Sequence, residues 1–269
     1  EISTTETDSP LISSYNTFSN CTGTQIFLGW RTVSTNGTNS PLTSSNTTFT
    51  DCRTNSTTNS FFLAWEEIFT NNSESPLTLC NNTLSNCTGM EYLHGWRSVS
   101  TNGTNSPVTS SNNTLSNCTG MEYFEGWNIA TTGTNSPVTS SNNTVTSCKG
   151  ATTSIWYVSP DNLILSNNTV SQCESTTGLF QGLTALIHDP YTPIWIISNN
   201  QFTNNTGSIG SYGMQIRNQS TALCLTLTDN GIELPINLIN TAGTFTLDSR
   251  NNTPFPTETG TITPGSCAP

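Results

Sequence analysis

The chain carries two pairs of ionisable side chains at equivalent places of a repeated segment, and such pairs could catalyse a reaction. Glu91 and Glu122 end two identical copies of NNTLSNCTGMEY, and His94 and Glu125 follow at another shared position. Glycoside hydrolysis needs two carboxyl groups about 5 to 9.5 Å apart, which residues one strand spacing apart could supply. No clustered Asp motif accompanies either pair. We therefore interpret Glu91 and Glu122 as a solvated outer face and His94 with Glu125 as a surface ion pair, and we predict no catalytic residue.

Six of the nine cysteines occupy one position of the repeat and should stack in successive turns. Neighbouring turns of a coil lie about 4.8 Å apart, within the Cα–Cα range that a disulfide accepts. Two interpretations stay open, a ladder of buried thiols and pairing between neighbouring turns. The six are Cys21, Cys52, Cys87, Cys118, Cys148 and Cys173.

The three other cysteines have different expected roles. Cys224 and Cys267 should form a disulfide that fixes the C-terminal region. Cys80 then has no expected partner within the chain. An odd cysteine is either free or bonded to another molecule, and we favour a free, half-buried thiol at this position.

No metal site and no cofactor are predicted. A linear stack of cysteines offers no tetrahedral cage, and the chain has only two histidines, His94 and His188. The two histidines lie in unlike contexts, so a Ser-His-Asp arrangement is not indicated either.

These residues are positioned by a repeat of 25 to 35 residues that occurs seven times. Each copy is short, rich in Thr, Val and Phe, and bounded by turn signals such as NG and SP, which favours strands over helices. The variable length argues against a propeller blade and favours a coil with loops of different size. We predict an all-β, right-handed parallel β-helix of about seven turns. The seven copies are YNTFSNC (15–21), NTTFTDC (46–52), NNTLSNC (81–87 and 112–118), NNTVTSC (142–148), NNTVSQC (167–173) and NNQFTNN (199–205).

The coil assigns a place to each recurring residue type. Asn at the turn should hydrogen-bond along its own stack, and the five recurring Trp residues should pack inside. Two inward apolar ladders are expected. The first consists of Phe18, Phe49, Leu84, Leu115, Val145, Val170 and Phe202, and the second of Leu42, Leu77, Val108 and Val138.

The segment ISNNQFTNN (197–205) resembles the N-x-[apolar]-x-x-N turn of right-handed β-helix proteins of the pectin-lyase-like superfamily. Its FTNN part is similar to the F-x-x-N repeat of chlamydial polymorphic membrane proteins and related bacterial surface passengers. Six of the seven copies place Cys where those families have Asn, and their GGA motif is absent. The resemblance implies a β-helix over roughly residues 11–207 and a surface location.

The repeat fades near residue 208, which suggests two regions. Residues 1–207 should form the β-helix repeats, and residues 208–269 a β-rich cap or appendage that covers the last turn.

Composition points away from several partners. Only 9% of residues are charged and the net charge is −11, so nucleic acid and anionic membrane surfaces are disfavoured. No apolar run could span a bilayer as a helix. Nine cysteines and fifteen sequons suggest an extracellular or cell-surface protein, secreted after removal of a signal peptide. The glycosylation candidates are Asn36, Asn55, Asn71, Asn102, Asn218 and Asn251.

Three functions remain open on this basis. The first is a non-enzymatic structural protein whose copies associate head to tail or laterally into a filament, sheath or surface layer. The second is a monomeric adhesin or passenger that binds a glycan or host protein, and the third is a polysaccharide lyase or hydrolase. Ice binding is a minor fourth, because Thr-x-Thr rows do not look regular along the sequence.

Overall fold

The chain forms a parallel β-solenoid. The computed structural model describes residues 1–187, 193–220 and 222–267, and within those ranges it contains strands and turns but no helix. Four parallel sheets, here named A to D, run along the coil, and each of the first six turns adds one strand to every sheet. The predicted all-β parallel solenoid of about seven turns is confirmed. None of these described residues belongs to a helix long and apolar enough to cross a membrane.

The strands are short except in sheet A. Sheet A consists of Ile2–Thr4, Ile26–Thr35, Phe61–Thr70, Tyr92–Thr101, Tyr123–Thr131, Thr152–Ser159, Phe180–Ile187, Tyr212–Asn218, Ile236–Asn240 and Thr257–Thr259. Sheet B consists of Leu11–Ser14, Leu42–Ser45, Leu77–Cys80, Val108–Ser111, Val138–Ser141, Leu163–Ser166, Ile194–Ser198, Ala222–Thr228, Thr244–Arg250 and Thr263–Pro264. Sheet C consists of Thr17–Ser19, Thr48–Thr50, Thr83–Ser85, Thr114–Ser116, Thr144–Thr146, Thr169–Ser171, Gln201–Thr203 and Gly231–Ile232. Sheet D consists of Thr22–Gly23, Arg53–Thr54, Thr88–Gly89, Thr119–Gly120, Lys149–Gly150 and Glu174–Ser175.

The core is built from ladders of equivalent residues. The seven motif copies supply seven consecutive strands of sheet C, and their central apolar residues pair in register from Phe18 to Phe202. The second ladder, from Leu42 to Val138, is likewise in register in sheet B and fully buried. Both apolar ladders expected from the repeat are confirmed.

A ladder of buried asparagines joins the turns between sheets B and C. From Asn113 onward, the Oδ1 atom of each Asn accepts hydrogen bonds from the backbone N–H and from Nδ2 of its equivalent in the preceding turn, at 2.9–3.0 Å. The Oδ1 atom of Asn82 accepts from the backbone N–H of Thr47. A buried backbone N–H must find an acceptor, and the ladder supplies one at every corner. Its members are Asn82, Asn113, Asn143, Asn168, Asn200 and Asn230, all at most 1% exposed.

The residue before each ladder Asn makes the corner itself. It has a positive φ, a conformation that Asn tolerates better than most residues. This explains the doubled Asn of the motif, in which the first turns the chain and the second bonds along the stack. The corner residues before the six ladder asparagines are Asn81, Asn112, Asn142, Asn167, Asn199 and Asp229, and Tyr15 and Asn46 make the same corner in the first two turns.

Tryptophans stack along the inner side of sheet A, as expected. The rings of Trp65, Trp96, Trp127 and Trp156 lie nearly parallel, with centroid distances of 4.6, 4.8 and 5.0 Å. All four residues are at most 1% exposed. The stack fixes the spacing of consecutive turns along most of the coil, because each ring touches the one above and below.

The chain after residue 208 continues the coil. Its strands extend sheets A, B and C in parallel register, beginning with Tyr212–Asn218, Ala222–Thr228 and Gly231–Ile232. Asn230 also extends the asparagine ladder. The sheets therefore have no break at the boundary between residues 207 and 208.

Candidate functional site

The outer side of sheet A carries a groove where its strands change direction. In the strand Tyr92–Thr101, Leu93 and Trp96 both lie in the core although they are three residues apart. A straight strand alternates every two residues, so the chain bends between them. Gly95 lies at the bend, and a Cβ atom there would come within 2.8 Å of the Gly126 carbonyl oxygen. The absence of a side chain permits this close approach.

Two adjoining cavities occupy the groove and share Glu66 and Arg97. The first, of about 370 Å³, is lined by Ile26, Leu28, Arg31, Phe61, Leu63, Glu66 and Arg97. The second, of about 310 Å³, is lined by Glu66, Glu67, His94, Arg97, Ser98, Glu125 and Asn128. The groove therefore crosses several turns, and its character changes from apolar to charged along the coil.

His94 and Glu125 form the floor of the charged part. The strand register places them side by side, and His94 Nδ1 lies 2.6 Å from Glu125 Oε2. The expected ion pair is present, but the expectation that it lies on the surface is wrong, because the two residues are only 9% and 7% exposed. The bend of sheet A encloses them. Removing one partner of such an enclosed pair costs about 3 to 5 kcal/mol, since the other is left without compensation.

Aromatic side chains lie beside the groove, and one of them, Phe61, lines its apolar part. Phe61 and Tyr92 stack with centroids 4.9 Å apart, and Tyr123 lies in register beyond them, with its ring 5.8 Å from that of His94. Burial, and to a smaller extent the nearby charge of Glu125, raises the pKa of Tyr123 to about 12. The phenol is therefore protonated at neutral pH.

Charged side chains line the groove in both of its parts. Arg97 Nη1 lies 3.1 Å from Glu66 Oε1, and their side chains are 51% and 24% exposed. Exposed pairs of this kind contribute at most about 1 kcal/mol, so both groups can exchange this contact for a ligand at little cost. Arg31, also exposed, lies next to Glu66 in a smaller cavity with Glu67.

The carboxylates chosen from the repeat do not form a site. Glu91 accepts hydrogen bonds from the backbone N–H groups of Asn59 and Ser60, at 2.9 and 3.0 Å, and so stabilises the turn of the preceding coil. Glu122 is exposed. The carboxylates that the structure brings together are instead Glu66, Glu67 and Glu125. An alignment of FFLAWEEIFT with YLHGWRSVST on their shared Trp would have placed Glu66 opposite Arg97.

The six repeat cysteines stack as predicted and are free thiols. The Sγ atoms of Cys52, Cys87 and Cys118 each donate to the carbonyl oxygen two residues earlier, at 3.3 Å. Contact with the Cys118 thiol and burial raise the pKa of Cys87, and burial raises that of Cys148. These thiols therefore remain protonated, and the ladder packs as part of the core. Among the described residues no group of three or more possible ligands could hold a metal ion.

The remaining cysteines lie elsewhere on the coil. Cys224 and Cys267 form a disulfide with a Cα–Cα distance of 5.6 Å, which connects sheet B to the segment after its last strand. Cys80 is a half-buried free thiol at the end of a sheet B strand, and burial raises its pKa.

The glycosylation candidates differ in accessibility. Asn55, Asn71, Asn102 and Asn251 are exposed, and Asn36 is half-buried. Asn218 is fully buried and its Nδ2 donates to Asn240 Oδ1 and to two backbone carbonyl oxygens. The prediction at Asn218 is wrong, because its nitrogen faces the interior and has no room for a sugar. His188 lies outside the described residues.

Comparison with known proteins does not assign the chain to a family. No protein-family model, curated protein or solved structure matches the chain. The resemblance to pectin-lyase-like proteins and surface passengers is therefore not confirmed by any homologue. What the structure supports is the parallel solenoid alone.

Proposed function

We propose that this chain is a non-enzymatic extracellular surface protein that binds a glycan chain in the groove of sheet A. The observation that carries the proposal is the groove across neighbouring turns, which has an apolar part that includes Phe61 and a charged part that includes His94, Arg97 and Glu125. Binding sites for small molecules and sugars combine such apolar surface with a few convergent polar groups.

The groove offers groups that suit a sugar. Asn128 and Ser98 can donate and accept hydrogen bonds with hydroxyl groups, and Arg97 can bind an oxygen or a carboxylate. Arg31 and Arg97 are two of only six Lys and Arg residues in the chain. They give the groove two positions that can hold a carboxylate or hydroxyl group of a glycan, beside the carboxylates of Glu66, Glu67 and Glu125.

We infer a non-enzymatic role from the ion pairs that the carboxylates of the groove form. Glu125 is already bound to His94 at 2.6 Å, and Glu66 to Arg97 at 3.1 Å. Two of the three carboxylates in the charged part of the groove, Glu125 and Glu66, thus have a basic partner.

Binding can be measured by calorimetry against acidic and neutral oligosaccharides of six or more residues. Arg97→Gln should weaken binding by roughly 10- to 100-fold, the effect of about 1.5 to 3 kcal/mol for a hydrogen bond to a charged group. Arg53→Gln is the matched control, because Arg53 is equally exposed but lies on sheet D. Equal weakening by both variants would place binding outside the groove. Turnover of a bound oligosaccharide, abolished in Glu125→Gln, would show an enzyme instead.

A second candidate is self-association into a filament, sheath or surface layer. Phe18 in the first strand of sheet C, and Phe27 and Trp30 in the second strand of sheet A, are only partly buried, whereas Phe49 and Phe62 in the next strands are fully buried. The last turn of a second copy could cover these ladder residues and pair with the strand edges beside them. Electron microscopy and sedimentation at increasing concentration test this, and a monomer at high concentration would contradict it.

A further inference from the structure

The outer side of sheet C presents a regular array of hydroxyl groups. The residues on either side of the buried apolar ladder point outward, and over six consecutive turns they are all Thr or Ser. The first row consists of Thr17, Thr48, Thr83, Thr114, Thr144 and Thr169. The second row consists of Ser19, Thr50, Ser85, Ser116, Thr146 and Ser171.

The array repeats in two dimensions. Parallel register places equivalent side chains one strand spacing apart, about 4.8 Å along the coil. Residues two apart in a strand are about 6.7 Å apart across it. Thr-x-Thr occurs in only two of these six strands, Thr48–Thr50 and Thr144–Thr146, but the first row alone is an unbroken row of Thr. The unequal sequence spacing of 25 to 35 residues conceals a constant spacing in space, because the extra residues lie outside sheet C.

The array is held rigidly. The apolar ladder behind it, from Phe49 to Val170, is fully buried. Thr has a branched Cβ and few rotamers, so the first row loses little freedom when it contacts a partner. In the second row, Ser85 Oγ donates to Thr50 Oγ1 at 3.2 Å and Ser171 Oγ to Thr146 Oγ1 at 3.3 Å. These contacts orient hydroxyls of neighbouring turns.

The neighbouring sheets do not share this regularity. The corresponding outward row of sheet B contains the exposed Ile12, Ile164 and Ile196 among its Thr residues. Sheet D includes the exposed Lys149 and Glu174. The two rows of sheet C thus form an uncharged strip bordered by less regular surfaces.

We propose that this strip of sheet C binds ice. A partner that contacts every hydroxyl group of this two-dimensional array must itself repeat with similar spacings in two directions. The surface of an ice crystal is such a partner, because its water oxygens lie in regular rows. Hydroxyl groups both donate and accept hydrogen bonds, so each can replace a surface water. The Thr methyl groups order water between the rows. A small dissolved ligand would contact only one or two turns and would gain nothing from a sixfold repeat.

Ice binding is measured as thermal hysteresis and as inhibition of ice recrystallisation by the full chain. The unmodified protein should show both, with faceted crystals. Thr114→Tyr places a bulky ring in the middle of the first row and should abolish the hysteresis. Thr109→Tyr is the matched control, because Thr109 points outward from sheet B in the same turn and should leave the hysteresis unchanged.

Circular dichroism melting shows whether both variants keep the fold. If Thr114→Tyr unfolds, Thr114→Val replaces it, since Val keeps the shape and removes the hydroxyl. Absence of hysteresis in the unmodified protein would overturn the proposal, as would equal loss in the sheet B control. A Thr114 variant that alters only the sedimentation of the protein would assign the strip to contact with a second copy and would also overturn it.

Discussion

Removing one member of the buried asparagine ladder should destabilise the coil strongly. Asn113 takes part in five side-chain hydrogen bonds: Oδ1 accepts from the backbone N–H and Nδ2 of Asn82, and Nδ2 donates to Leu79, Ser110 and Asn143. At about 1 kcal/mol for each bond, Asn113→Ala should lower the free energy of unfolding by roughly 3 to 5 kcal/mol. A large part of the loss arises because the Asn82 N–H remains buried without an acceptor.

Asn16→Ala provides the comparison. Asn16 occupies the same motif position in the first turn, is half-buried, and donates only to Ser13 and Thr47. Its replacement should cost about 1 kcal/mol or less. Urea unfolding followed by both circular dichroism and Trp fluorescence measures the two values, and coincident curves show that the coil unfolds cooperatively. If Asn113→Ala cost no more than Asn16→Ala, the ladder would not be the source of stability that its geometry indicates.

Three other outcomes test the core, the groove and the disulfide. Trp127→Ala should cost about 3 to 5 kcal/mol in urea unfolding, because its ring contacts both neighbouring Trp rings; a loss under about 1 kcal/mol would contradict this. Because burial and the Glu125 charge raise the pKa of Tyr123 from 10 to about 12, the folded chain retains a proton that the unfolded chain releases. This contribution to the free energy of unfolding is complete below pH 10 and is lost as the pH rises towards 12. Because Phe has no proton to release, the stability of Tyr123→Phe should fall less steeply between pH 10 and 12 than that of the unmodified protein. Reducing Cys224–Cys267, which spans 43 residues, should cost about 4 kcal/mol, whereas Cys80→Ser should leave that loss unchanged.

Much of the fold could be predicted because a coil converts sequence repetition directly into contact. Once copies of a motif stack at strand spacing, the apolar, asparagine and cysteine positions must each touch their equivalents. The state of the cysteines could not be predicted in the same way, because stacked residues have a Cα spacing that suits both thiols and disulfides. Whether neighbouring cysteines are thiols or a disulfide depends on the direction of each Sγ atom, which the backbone conformation of the adjacent turn determines.

The groove was missed because it depends on a change of direction within a strand. The bend at Gly95 brings His94 and Glu125 under cover, and the register brings Glu66 beside Arg97. Neither arrangement could be predicted from the alternation of apolar and polar residues along the sequence. After residue 208 the Asn-Thr motif fades while the strands persist, as the hydrogen bond from Asn200 Nδ2 to Asn230 Oδ1 shows.

The constant register of the ladders has a consequence for how such a chain can change length. From Asn82 to Asn113 the chain advances by 31 residues and returns to the same surroundings, one turn further along the axis. Inserting or deleting one complete turn would therefore preserve every contact between the remaining turns, whereas shifting a strand by one residue would turn its apolar side outward. The number of turns can thus vary independently of the fold, and with it the length of the groove on sheet A and of the hydroxyl strip on sheet C.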